Sequence, residues 1–155
     1  MNHRYPSAYL APVQHDEARR FLLDTGLPQD HLLFAAATEP QPSGELLKIG
    51  DGGDFDEFCV NCRTGAVVSR STIDAAVLPV NSSPQTFAAC LAEFTRQLRL
   101  APASSSDEDE SETQARLLGE ALTALDPTAL TDENSFWNSV LWDVAIGDYA
   151  PDDDT

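Results

Sequence analysis

An α+β fold is predicted, with an antiparallel or mixed β-sheet of about five strands flanked by an N-terminal helix and C-terminal helices. Three observations predict it. Residues 31–80 break into short apolar runs separated by Gly, Pro, Asn and Asp, the punctuation of a strand meander. Phe87, Cys90, Leu91, Phe94 and Leu98 then fall at steps of three and four, the period of an amphipathic helix. Two further segments beyond residue 112 repeat helical spacing.

The residues before Pro12 show no steady period and are expected to be irregular. A first helix starts at His15 or Asp16, has an apolar side supplied by Phe21, Leu22 and Leu23 after Ala18, and ends at Gly26, where a left-handed residue closes the last turn. Leu27-Pro28 continues as an extended exit, because a residue before proline avoids helical geometry. Strands are expected near 32–36, 46–50, 55–61, 65–70 and 76–80. Gly50-Asp51-Gly52-Gly53-Asp54 reads as a tight connection, and Asn61-Cys62-Arg63-Thr64-Gly65 as a hairpin loop. Ser82-Ser83-Pro84 starts the long helix, since serine caps free amides and proline needs none at the first position.

With 155 residues, the chain has the length of one domain. The expected organisation is a core over 13–100, an acidic linker over 101–111, a helical extension over 112–149 docked on that core, and an acidic tail over 150–155. The linker reading rests on Pro102, three serines and Asp107-Glu108-Asp109-Glu110, a run that self-repels and buries nothing. Leu, Ile, Val and Phe make up 36 of the 155 residues, above the roughly one fifth below which highly charged chains stay disordered, so most of the chain should fold. No apolar run approaches the ~20 residues of a membrane span, and the first thirty residues lack the pattern of a secretory signal. A cytoplasmic protein is expected.

Formal net charge is -17, unevenly placed. Residues 1–100 carry 8 Lys+Arg against 12 Asp+Glu, whereas residues 101–155 carry 1 against 14. Nucleic acid and anionic membrane are poor partners for such a chain, because binding phosphates needs a Lys/Arg patch. A basic protein is a better one.

The chemistry-bearing motifs are sparse. Cys59-Val60-Asn61-Cys62 has the spacing of a zinc or dithiol pair, but Cys90 lies in a helical apolar stripe and the histidines are all N-terminal. A thioredoxin-type pair opens a helix, whereas this one spans a strand end and its turn. The segment at Gly50 has the composition of a calcium loop without the alternate-position ligands or the distal glutamate. Nucleophile elbows, zinc-protease motifs and phosphate loops do not occur. Catalytic residues, metal and cofactors are accordingly expected to be none, and the protein is expected not to be an enzyme. Trp137 and Trp142, five residues apart, cannot aim along one line of a helix. Core packing is the expected role for both, with Trp142 retained as a candidate contact.

Phe21-Leu22-x-x-x-Gly26-Leu27-Pro28, Leu47-x-Ile49-Gly50, Cys59-Val60 before Thr64-Gly65-Ala66-Val67, and Val80-Asn81-Ser82-Ser83 before Phe87-x-x-Cys90-Leu91 occur in that order. With Phe136-Trp137 and Leu141-Trp142-x-Val144-x-x-Gly147-Asp148-Tyr149, they make the chain resemble a SUKH immunity protein of the fourth subfamily. The cysteine pair and the acidic linker depart from that pattern. The resemblance implies an α+β fold and a non-catalytic role in a bacterial polymorphic toxin system, neutralising a cognate toxin, often a nuclease or nucleic-acid deaminase, by binding it. It brings no shared catalytic residues. An acidic protein could cover the basic cleft of such a toxin, which selects two charge clusters as candidate contacts. One is Asp51, Asp54, Asp56 and Glu57; the other is Asp107, Glu108, Asp109 and Glu110; Trp142 is added as an apolar anchor. A monomer or weak dimer is expected. The competing reading is a regulatory or scaffold adaptor for a cellular protein unrelated to toxins, since fold does not dictate function.

Overall fold

A computed structural model describes residues 2–29, 31–39, 42–53, 56–100 and 108–146. The fold is α+β, as the punctuation and periodicity predict. The chain divides into two compact units, Met1–Ala88 and Ala89–Thr155.

The first unit opens with β1 (Asn2–His3), then α1 (Asp16–Asp24), β2 (Leu27–Pro28), β3 (Ala35–Ala36), β4 (Pro42–Ser43), β5 (Leu46–Gly52), β6 (Asp56–Asn61), β7 (Val67–Ser71) and β8 (Val77–Asn81). The main sheet runs β3-β5-β6-β7-β8 with β4 also on β5, and every pairing is antiparallel. The small pair β1–β2 joins the opening residues, expected to be irregular, to the exit from α1; two-residue strands carry no period to read. Pro79 lies in the edge strand β8, where a missing amide is tolerated.

Local chemistry explains the elements. His15 Nδ1 accepts from the Ala18 amide and caps α1, while Asp16 and Glu17 suit the positive end of its dipole. The chain entering α1 is tied to the sheet, because the Gln14 and His15 amides both donate to the Cys62 carbonyl, at 2.7 and 3.2 Å. Gly26, at φ +74°, donates to the Phe21 carbonyl and closes the helix as expected. In the β6–β7 loop, Asn61 Oδ1 accepts from the amides of Arg63 and Thr64.

One correction concerns residues 50–52. Gly50-Asp51-Gly52 extends β5 instead of turning, and the turn begins at Gly53. The glycines are needed on the core side, where a Cβ on Gly50 would lie 2.2 Å from the Phe34 ring and one on Gly52 2.4 Å from the Phe58 ring. Phe34, Phe58 and Phe87 form the centre of this core, with ring centroids 5.1–5.5 Å apart. Leu47, Val60 and Val67, paired across the sheet, are fully buried beside them in sequence register.

The helix α2 (Pro84–Leu100) begins where Ser83 and Pro84 predict, with Ser83 Oγ accepting from the Thr86 amide. In the second unit follow α3 (Glu108–Leu125) and α4 (Phe136–Ala145). A second correction falls here: residues 108–111, expected as linker, are the first turn of α3. Carboxylates at a helix N-terminus face the positive dipole end, so an acidic run that repels itself as coil is favoured there as helix. Gly119 lets α3 and α4 pack closely, its absent Cβ being 3.3 Å from Leu141 Cδ1. Buried Ser135 caps α4 by accepting from the Asn138 amide and donates to the Ala129 carbonyl at 2.8 Å.

Gly26 supplies a stability test. A Cβ there would sit 1.9 Å from the His3 carbonyl oxygen, which is backbone and cannot swing away. Gly26→Ala adds this clash to left-handed strain, so urea unfolding should show a loss of more than about 2 kcal/mol with an unchanged denaturant slope. A loss below about 0.5 kcal/mol would contradict the close approach of β1 to this turn.

Candidate functional site

The first acidic cluster is built by register. Asp51, Glu57 and Arg70 lie directly opposite one another on β5, β6 and β7. The pairing of β5 with β6 shifts between Lys48 and Gly50, so Ile49 is the extra residue of a bulge. Without it, residues three apart on a strand would point to opposite faces. With it, Lys48 and Asp51 share a face, and Lys48 Nζ reaches Asp51 at 2.9 Å and Glu57 at 3.0 Å. Arg70 approaches the other Glu57 oxygen at 3.4 Å.

The N-terminal segment holds the bulge. The Tyr5 hydroxyl donates to the Ile49 carbonyl and the Tyr9 hydroxyl to the Lys48 carbonyl. The Ile49 oxygen also accepts from the Ala37 amide at 2.9 Å. Burial raises the Tyr9 phenol to about 12 even though the Lys48 charge acts in the opposite direction.

Lys48, Glu57 and Arg70 side chains are only 13–17% exposed, whereas Asp51 is half exposed. Partial burial opposes the Glu57 charge, but the hydrogen bond and charge of Lys48, together with Arg70, outweigh it and hold the carboxyl below the usual range. Burial likewise opposes the Lys48 charge, and Asp51 and Glu57 overcome it and raise that group. Two carboxylates and two cations therefore compensate one another on this face.

The candidate residues thus fall into different surroundings. Asp51 and Glu57 are ion-paired, and Asp56 is exposed at the start of β6. Asp54 and Asp107 lie outside the described residues, and Glu108, Asp109 and Glu110 lie in the first turn of α3. The tryptophans separate: Trp137 is fully buried, while Trp142 is 68% exposed, which corrects the expectation of core packing for both. Ile146, one turn on, is 56% exposed. Lys48 and Arg70 lie outside the charge clusters that the sequence selects. Arg70 was legible, because counting back from the hairpin loop pairs it with Glu57; Lys48 was not, because the bulge leaves no mark in the sequence.

Cys59 is fully buried on β6 and Cys62 nearly so in the following turn. Burial pushes both thiols up, with the Glu45 carboxylate adding to the effect at Cys62, so neither is primed as a thiolate. Among the described residues, no helix is long and apolar enough to cross a membrane.

In comparison with known proteins, a family model described as SUKH-4 immunity protein matches residues 2–143. No curated protein and no solved structure matches the chain significantly.

Two predictions follow from the ion pairs and the thiols. A carboxyl held below its unfolded value contributes stability above about pH 4.3, and that contribution disappears as pH falls through the folded value. Between pH 5 and pH 2 the urea midpoint of the native protein should therefore fall further than that of Glu57→Gln, and parallel curves would contradict the Glu57 pairing. The buried thiols should react with Ellman's reagent at least about tenfold more slowly in the folded protein than in urea. A fast-reacting Cys59 or Cys62 in the folded protein would instead reopen dithiol chemistry.

Proposed function

This chain belongs to the SUKH-4 immunity protein family, and from that premise we propose that it neutralises a bacterial nuclease or nucleic-acid deaminase toxin by non-catalytic binding. The family match over residues 2–143 is the observation that carries the reading. Charge supports the class of toxin. An enzyme that acts on nucleic acid needs a basic substrate surface, and a chain with net charge -17 is attracted to it over a long range. Covering that surface excludes the substrate and needs no bond chemistry.

The charge available for steering is not spread evenly. Lys48 and Arg70 already compensate Asp51 and Glu57, which leaves Asp56, among the described members of that cluster, as the exposed carboxylate outside these ion pairs. The second unit carries 3 Lys+Arg against 15 Asp+Glu, and Glu108, Asp109 and Glu110 contribute three of those acids within the first turn of α3. In this reading that unit provides most of the attraction, and Asp56 adds to it from the first.

The test is titration calorimetry against the toxin domain encoded beside the gene, at low and at moderate salt. Tight binding that weakens several-fold with added salt is expected, because exposed charges are screened within about 10 Å at 0.1 M. Replacing Asp107 to Glu110 by lysines should slow association more than Asp51→Asn does. The absence of binding to a folded, active toxin would favour the adaptor reading instead.

A further inference from the structure

Trp142 and Ile146 are one helical turn apart and thus share a side of α4. That side is separate from the buried set Trp137, Val140 and Val144, which packs inward. An indole 68% exposed beside an isoleucine 56% exposed leaves apolar area in water, a feature typical of a binding surface. Core packing does not account for it.

The net charge of this part of the chain defines what would cover it. After Arg116, which pairs with Glu120 at 3.3 Å, no Lys or Arg occurs in the remaining 39 residues, while nine Asp and Glu do. Asp143 stands next to Trp142, and Asp148, Asp152, Asp153 and Asp154 follow Ile146 in sequence. A second copy would bring another net -12 from its own second unit against the same side, so self-association through it is opposed by like-charge repulsion. Nucleic acid and anionic lipid are opposed for the same reason. A protein surface that is apolar where it meets the indole and basic overall suits both the exposed pair and the net charge of this unit.

We infer that Trp142 and Ile146 form the apolar anchor by which the second unit seats on the basic surface of the toxin. This rests on the immunity reading above and adds to it the location of the contact. Electrostatic attraction governs how fast the partners meet, whereas a buried indole governs how slowly they part.

The test measures association and dissociation rates of the full chain on the immobilised toxin domain encoded beside its gene, for the native protein, Trp142→Ala, Ile146→Ala and Trp142→Phe. Because both side chains are exposed, the variants should keep the native urea midpoint, which confirms that each is folded. Trp142→Ala should weaken binding by about 30-fold or more, mainly through faster dissociation, with Ile146→Ala less affected and Trp142→Phe partly restored. Native-like rates for a folded Trp142→Ala, with the native protein binding tightly, would overturn the anchor and leave the immunity reading intact. Failure of the native protein itself to bind would remove the reading on which the anchor rests.

Discussion

The extra residue at Ile49 governs what β5 can present, because a slip of one position moves every following side chain to the other face of a sheet. Upstream of the bulge Lys48 faces the same side as Glu57; downstream Asp51 joins them. The irregularity would leave ladder carbonyls poorly paired, and two tyrosine hydroxyls from residues 5–9 bond to them. The N-terminal segment, the bulge and the charged face therefore depend on one another. On the opposite side, the same register places Gly50 and Gly52 under the Phe34 and Phe58 rings.

The molecule handles its negative charge in two ways. On the sheet, carboxylates sit between cations, half to mostly buried, where an unpaired charge would be costly. In the second unit, acids outnumber cations fivefold, so most of its acids have no cation of the same unit to pair with. The second arrangement leaves the larger net charge, -12 against -5, and so the stronger field at a distance. This division of labour follows from the physics of screening: paired charges cancel within a few ångströms, unpaired ones do not.

How much was legible in the residues varied with the range of the interactions involved. α1 with its His15 cap and Gly26 closure, the Asn61–Gly65 loop and the Ser83-Pro84 start of α2 were all readable, because each is decided by neighbours within a few positions. Glycine-rich Gly50–Gly53 misled: composition suggested a turn, while the aromatic rings packed over β5 demanded residues without side chains. The acidic run at 108–110 misled in a similar manner, since its preference for coil reverses at a helix N-terminus. Among the candidate contacts, the pairing of Glu57 with Arg70 is countable from the hairpin, because the two lie opposite one another across it.

By itself the sequence determined the α+β class, the order of the main elements, the asymmetry of charge and a resemblance that the family match over residues 2–143 bears out. These are properties of local pattern and composition, which survive without knowledge of distant contacts. Tertiary structure alone decided that Lys48 and Asp51 share a face, that Asp51 and Glu57 are compensated, and that Trp137 is buried while Trp142 is not. Each of these turns on a single-residue shift in strand register or a rotation of a helix about its axis, and both are set by packing between segments far apart in the chain.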